Sequence, residues 1–303
     1  MRWKKMHWKK SENILIIGLG QIGYHTADYI ISRGFHVDGY DIDKRAVDRA
    51  IKENVIHREA SNFNDYDYYL ICISTHDPEN IDTPYLDGLF EISEKLSSEG
   101  KTDALIGIES TVPKGTCNKV IDILNHRLHV SHLPHRFYEH EKSEHGVRQT
   151  RVIGGCDDCC LDEAVHFYGD LLDIPLHITP AIEYAELSKL IENTYRYLEI
   201  AFAEELNIVS DDLNLDFDTL RLAVNSKWNI ELLEAREGIG GHCLPKDSQM
   251  YLDIVKKTLQ TSIIDAAKKV DADYRTHIED IRQMKENVLL DILAALEKSS
   301  LIH

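Results

Sequence analysis

The stretch GIGGHCLPKD places three glycines, Gly238, Gly240 and Gly241, around one cysteine, Cys243, with Lys246 and Asp247 close behind it. A buried structural cysteine needs no such surroundings. Nearby lysines favour the thiolate, the reactive form of the side chain. A second stretch, GLGQIG, spaces Gly18, Gly20 and Gly23 as G-x-G-x-x-G, with Gln21 and Ile22 inside it. Here the chemistry is phosphate binding. Gly18 allows a tight turn, Gly20 lets backbone approach a pyrophosphate, and Gly23 lets a helix pack on a strand. The helix N-terminus that follows presents N–H groups to the phosphates. Asp41, further along, suits the adenosine ribose hydroxyls and repels a 2′-phosphate, which favours NAD over NADP.

These residues need a βαβ frame, and the flanking sequence supplies one. Ile14 to Ile17 is a short apolar run suited to a strand buried on both faces. Helical periodicity follows through Ala27, Ile30 and Ile31 to Gly34, and Phe35 to Tyr40 reads as the second strand. Residues 66–74 and 103–111 read as further strands and 86–96 as a helix, with Cys72 as plain core. Thr75 and Thr111 fall beyond the carboxyl ends of those strands, where doubly wound sheets bind ligands. Turn chemistry suits both equally well.

From Ile182 to Val209 the pattern is one long helix, about 40 Å at ~1.5 Å per residue. Such a helix bridges domains or forms a dimer spine. Its apolar residues, among them Leu187, Leu190, Ile191, Leu198, Ile200, Phe202 and Leu206, cover much of its circumference, which predicts a homodimer packed along it. Lys189 and Asn193 are four apart and share a face. The fold class is therefore α/β: an N-terminal Rossmann doubly wound parallel sheet, then an all-helical central domain with a long helix. The expected divisions are a basic tail over 1–10, the NAD-binding domain over 11–178, the helical domain with the cysteine loop over 179–283, and a C-terminal helix over 284–303.

Composition excludes some functions. The chain has 303 residues, 43% of them hydrophobic, and a formal net charge of −18. That field repels nucleic acid and anionic membrane, so neither is expected as a partner of the whole surface. No signal peptide or membrane span is visible, and the irregular spacing of the six cysteines points to a reducing, cytoplasmic setting. Cys156, Cys159 and Cys160 form C-x-x-C-C, with Asp157 or Asp158 expected to cap the next helix. No second ligand pair is obvious. Histidines recur at 126, 129, 132 and 135, but a three-residue spacing alternates faces on a strand. No metal is expected at either cluster.

Taken together, GLGQIG (18–23), Asp41, ESTVPKGT (109–116), RVIGG (151–155), AELSKLIENTYR (185–196) and GIGGHCLPKD (238–247) resemble the UDP-glucose/GDP-mannose 6-dehydrogenase family, in the family's order and over nearly the whole chain. RVIGG and GGHC resemble the N-acetylmannosamine or N-acetylglucosamine branch. The resemblance implies oxidation of a nucleotide-sugar C6 alcohol to the acid, using two NAD per turnover. It makes Cys243 the nucleophile that converts the aldehyde to a thiohemiacetal and then a thioester. Lys189 would stabilise charge on oxygen, Asn193 would hold that oxygen or a water, and Asp247 would orient a water or Lys189. Thr111 joins this set, at the cofactor as well as the reacting centre. Gly240 and Gly241 would let the sulfur approach the sugar, and Lys246 would contact substrate or partner.

Two departures from the family stand out. HLPHRF carries His135 where a glutamate is expected, with Arg136 in place and Glu139 four residues after His135. Either His135 acts as a base near neutral pH or positions the sugar, or Glu139 substitutes. Family members also continue into a C-terminal nucleotide-gripping domain, whereas this sequence ends at His303. A separate chain supplying that domain, a smaller substrate, and lost activity are the alternatives. The other functions that fit are a two-electron 3-hydroxyacid-type dehydrogenase, which does not require Cys243, and a non-catalytic NAD-binding protein.

Overall fold

The computed structural model describes residues 12–77, 79–80, 83–137 and 146–300, with side chains as far as 293. The basic leader and Glu139 lie outside the described residues. The chain divides into two units, Met1–Leu190 and Ile191–His303.

The first unit is built on a seven-stranded sheet in the order β2-β1-β3-β4-β5-β6-β7. Along the chain run β1 (Asn13–Ile17), α1 (Gln21–Ser32), β2 (His36–Tyr40), α2 (Lys44–Lys52), β3 (Tyr68–Ile71), α3 (Asp87–Glu99), β4 (Leu105–Ile108), α4 (Thr116–Leu124) and β5 (His129–His132). These five strands are parallel. Next come β6 (Arg151–Gly155), α5 (Asp158–Ala164) with a π-helical turn at Val165–Leu171, and β7 (Leu176–Ile178). β6 runs antiparallel to β5, and β7 parallel to β6.

The apolar run of β1 shows why the sheet is covered on both faces. Ile14 and Ile16 enter one core with Ala27, Ile30, Val37 and Leu70. Leu15 and Ile17 enter the other with Tyr69, Ile71, Leu89 and Ile106. Successive side chains point to opposite faces, so a continuously apolar strand needs two apolar layers. This stacking leaves the loops after β1, β3 and β4 at the carboxyl edge, which carries Gly18 to Gly20, Thr75 and Thr111. The doubly wound fold expected from the sequence is the fold observed.

α6 (Ile182–Asp212) is 31 residues long, and the division between the units falls inside it. The second unit is helical: the rest of α6, then α7 (Phe217–Asn225), α8 (Cys243–Val255) and α9 (Ile263–Ser300). Where 178/179 was expected as a boundary, the units part at Leu190 and Ile191, because the first turns of α6 pack into the sheet unit: Ile182 joins its core. Where 284–303 was expected as a separate helix, α9 runs unbroken from Ile263 past Met284. No glycine or proline lies between 263 and 300 to end it.

Within the second unit, α9 fixes the approach to the cysteine loop. Asp271 Oδ1 accepts the backbone N–H of Ile239 at 2.7 Å, and Arg275 donates to the Ile239 carbonyl at 2.7 Å. Tyr274 donates to the Arg236 carbonyl. Ile239 itself is buried with Tyr197, Ala201 and Ala267. The loop is thus held from both sides of one residue, four positions before Cys243.

Candidate active site

The glycine loop divides its three glycines by task. A Cβ on Gly18 would meet the Cys72 carbonyl oxygen at 2.7 Å, and Gly18 has φ +93°. A Cβ on Gly23 would meet the Gly18 carbonyl oxygen at 1.7 Å. Those two serve the packing of α1 on the sheet. A Cβ on Gly20 would meet nothing within 4 Å, so Gly20 faces open space. It is the N-cap of α1 and brings no side chain to the first-turn N–H groups. Gln21 is exposed at the first helical position, and Ile22 packs on the core.

Asp41 stands at the end of β2 and ties the loop down. Its Oδ2 accepts the Leu19 N–H at 2.6 Å and its Oδ1 accepts the Asp43 N–H at 2.8 Å. Beside it opens a cavity of about 970 Å³ lined by Gly20, Gln21, His25, Arg45 and Arg49, among others. Uncapped helix N–H groups, an open glycine and a carboxylate at the strand end fit a dinucleotide. Thr75 is buried and donates to the Thr111 carbonyl at 2.6 Å, so its hydroxyl is engaged in joining two carboxyl-edge loops. Thr111 is half-buried on the other side of that bond.

His135 lies in a buried polar cluster. Its Nε2 is hydrogen-bonded to Glu109 Oε2 and lies 3.1 Å from Thr26 Oγ1, while Arg151 Nη2 lies 3.2 Å from the same carboxylate oxygen. Burial, then the Arg151 charge, push the imidazole down to about 4. Burial alone would raise the Glu109 carboxyl, but Arg151 and His135 hold it well below the usual carboxylate range. At neutral pH the cluster is therefore carboxylate, neutral imidazole and guanidinium. Instead of a base titrating near pH 7, His135 is a neutral link between Glu109 and Thr26. Cys72, expected as plain core, lies 3.5 Å from Glu109 in this cluster. Arg136 donates to the Thr150 carbonyl at 2.8 Å.

Lys189 is placed by its own helix. Glu186, fully buried three residues earlier, accepts the N–H groups of Gly115 at 2.6 Å and Cys117 at 2.8 Å. A carboxylate there satisfies donors at the N-terminus of α4 and complements its dipole. Glu186 was not singled out in the sequence, where it is one more polar residue on a face shared with Glu183, Lys189 and Asn193.

Cys243 is exposed, not disulfide-bonded, and is the first residue of α8. Gly238 and Gly241 have φ of +86° and +75°, and Cβ atoms on Gly240 and Gly241 would meet nothing within 4 Å. The turn into the helix thus uses glycine conformations, and space is left beside the sulfur-bearing residue. Just behind, Asn193 donates its amide to Asp247 Oδ2, and Lys246 Nζ lies 3.0 Å from Asp247 Oδ1. Lys246, expected to reach substrate or partner, is instead 5% exposed and paired with its neighbour.

A cavity of about 420 Å³ adjoins the loop, lined by Gly238, Ile239, Gly240 and Leu244 and by Arg196, Arg221 and Arg236. These arginines were not singled out in the sequence. Only Arg196, three residues after Asn193, carried a positional hint.

Residues 183–273 match the UDP-glucose/GDP-mannose dehydrogenase family, central domain. A UDP-N-acetyl-D-mannosamine dehydrogenase of Methanococcus maripaludis is 28% identical over 88% of this chain and 66% of its own length. The structure of the UDP-D-ManNAc dehydrogenase from Pyrococcus horikoshii superposes with a TM-score of 0.74, at 24% identity, covering 86% of this chain and 68% of that one. A UDP-N-acetyl-mannosamine dehydrogenase from Staphylococcus aureus gives 0.76 at 22% identity, covering 90% and 71%. The chain thus spans about two thirds of the length of the curated relative, at 66%. The family resemblance read from the sequence is borne out, and the solved structures share the fold.

Proposed function

We propose that this chain, whose residues 183–273 match the central domain of the nucleotide-sugar dehydrogenases, carries the oxidising half of an NAD-dependent nucleotide-sugar 6-dehydrogenase. The substrate class is a UDP-N-acetylhexosamine. The observation that carries the reading is Cys243: exposed, at the start of α8, in a turn opened by glycines, with Asn193, Asp247 and Lys246 joined behind it. A buried structural cysteine has none of these features.

NAD, when bound, supplies the hydride acceptor for both oxidation steps. In the first, the C6 hydroxyl loses its proton as it becomes an aldehyde, and the Lys189 ammonium stabilises the negative charge on that oxygen. The aldehyde has no hydroxyl to oxidise, so Cys243 adds its thiolate to the carbonyl carbon and makes a thiohemiacetal. The start of a helix is a setting that favours the thiolate. Oxidation of the thiohemiacetal leaves an acyl thioester on Cys243, and water displaces the sulfur to release the acid. Asp247, fixed by Asn193 and Lys246, orients that water. Gly20 and Asp41 hold the cofactor at a turn that Gly18 and Gly23 shape by packing, with Gln21, Ile22, Thr75 and Thr111 around it. Arg196, Arg221 and Arg236 line the cavity beside the cysteine loop together with Glu231 and Glu234, and each arginine is paired with a carboxylate for which a phosphate would have to compete. A two-electron 3-hydroxyacid dehydrogenase would leave the exposed Cys243 without a task.

Assembly is read from the same helix. In the second unit α6 exposes Ile191 at 47%, Tyr195 at 63%, Phe202 at 56% and Val209 at 45%. Spacings of four and seven residues put these on one stripe, and a second copy of the chain is the proposed cover. No helix among the described residues is long and apolar enough to cross a membrane, in keeping with a cytoplasmic enzyme. The reading is tested by incubating the purified chain with NAD and UDP-N-acetylmannosamine or UDP-N-acetylglucosamine and following NADH. Formation of NADH and a sugar acid supports it. A folded chain that binds NAD yet oxidises neither sugar opposes it.

A further inference from the structure

Two groups of residues that look unrelated in sequence meet in space. His129 opens β5, and Cys156 directly follows β6, its antiparallel neighbour. The Cys156 N–H donates to the Val130 carbonyl at 3.0 Å, which seats it beside β5. Asp157 then caps α5, accepting the Cys160 N–H at 2.9 Å, and the first turn of that helix carries Cys159 and Cys160 back toward His129. His129 Nδ1 lies 3.3 Å from Cys160 Sγ and 3.5 Å from Cys159 Sγ. The structure also pairs Cys156 with Cys160 as a disulfide, with Cα atoms 5.9 Å apart.

The spacing suits a tetrahedral metal. With Zn–N near 2.0–2.1 Å and Zn–S near 2.3 Å, a tetrahedral nitrogen and sulfur stand about 3.6 Å apart. His129 meets that separation, to within a few tenths of an ångström, at two sulfurs at once. The third sulfur, that of Cys156, is bonded to one of them. Cys160 is buried and Cys159 exposed, so the cluster has a dry side and an entry path.

We propose that His129, Cys156, Cys159 and Cys160 form a zinc-binding site of the Cys3His type when the Cys156–Cys160 disulfide is reduced. Reduction leaves two thiols: a dithiol gives two electrons and two protons and becomes a disulfide, or a phosphine gives the two electrons and becomes its oxide while water supplies the oxygen and the protons. Binding then releases the three thiol protons and places three thiolates and one imidazole on one cation, for a net charge of −1. Thiolate and imidazole donors select zinc over magnesium or calcium. Asp157 stays with the backbone as the helix cap. The bound ion ties β5, β6 and α5 together at the start of β5 and the end of β6, the opposite ends of these strands from Arg151 and His135. The oxidised form has two of its four donors engaged in a covalent bond and binds no zinc. The sequence discounted C-x-x-C-C because no second ligand pair was obvious, and the histidines because their spacing alternates faces on a strand; the β5–β6 pairing brings His129 to the cysteines. None of its four residues belongs to the set proposed for catalysis.

The probe is cobalt(II) added to the full chain, reduced with a phosphine under anaerobic conditions. One cobalt per chain is expected, with thiolate-to-cobalt charge transfer and tetrahedral d–d absorption, displaced by one equivalent of zinc. Cys159→Ser and His129→Ala should each weaken binding by at least about tenfold, and Cys243→Ser should leave the cobalt spectrum unchanged. A variant-free check uses alkylation read by mass spectrometry: zinc should protect Cys156, Cys159 and Cys160 together and leave Cys243 reactive. Reduced, folded protein that takes up no stoichiometric cobalt overturns the proposal. So does a spectrum that survives Cys159→Ser, or alkylation of the three cysteines unaffected by zinc.

Discussion

Asn193 donates its side-chain amide to one oxygen of Asp247, while the Lys246 ammonium lies 3.0 Å from the other. Two residues that the sequence could place only by motif thus hold each other, though they stand 54 positions apart in the chain. Asp247 is 1% exposed and Lys246 5%. Removing one member of a buried ion pair is far more costly than removing both. Asp247→Ala should therefore destabilise the chain by about 3 kcal/mol, and adding Lys246→Met should recover part of that loss. Urea unfolding of the three proteins checks it. A loss below about 1 kcal/mol for Asp247→Ala would mean that the pair behaves as a solvated one.

The glycine loop predicts a split between folding and binding. Gly23→Ala puts a Cβ onto the Gly18 carbonyl oxygen and should unfold or strongly destabilise the first unit, whereas Gly20→Ala meets nothing within 4 Å. Gly20→Ala should melt like the parent and bind NAD at least about tenfold more weakly, because its new methyl group points where a pyrophosphate would lie. Asp41→Ala should narrow the preference for NAD over NADP. Calorimetric titration with both cofactors, alongside melting curves, separates these outcomes. Unchanged NAD affinity in Gly20→Ala would place the cofactor elsewhere.

Glu204 predicts a pH dependence. It is fully buried on α6, neither of its oxygens has a hydrogen-bond partner among the described residues, and burial followed by the Asp271 charge pushes its carboxyl up to about 7. A raised carboxyl pKa favours the protonated form in the fold. Its contribution is complete below the ordinary value of 4.5 and is lost as pH rises through about 7. Glu204→Gln should therefore match the parent near pH 4.5 and exceed it at pH 8 by on the order of 2–3 kcal/mol. Denaturant titrations at the two pH values test this. A difference that does not change with pH would show that folding leaves the Glu204 carboxyl unshifted.

Much of the first unit was legible in the sequence because its signals are local. A continuously apolar β1, a glycine triplet and an acidic strand end lie within thirty residues of one another, and each has a steric or electrostatic reason that the structure reproduces. The long helix was legible for the same reason, through its period. The parts that escaped depend on contacts distant in sequence. Glu186 caps α4 from 69 to 71 residues away. Lys246 was expected at substrate or partner, and Asp247 with the packing of α8 buries it. His135 read as a base near neutral pH from its type alone, and burial beside Arg151 reversed that. His129 and the C-x-x-C-C cluster were weighed one at a time, and only strand pairing joins them. The unbroken α9 was divided in the sequence reading at a motif edge, although no residue there ends a helix.

The number of NADH formed per sugar tests the role of Cys243 most directly. With a UDP-N-acetylhexosamine substrate, the wild-type protein is predicted to yield two NADH per molecule consumed, and a brief reaction stopped by acid should carry an acyl adduct on Cys243 in the mass spectrum. Cys243→Ser should form no adduct and no second NADH, because a serine hydroxyl is far harder to ionise and does not add to the aldehyde as the thiolate does. If Cys243→Ser retains full turnover with two NADH per sugar, the cysteine is structural and the proposed chemistry is contradicted.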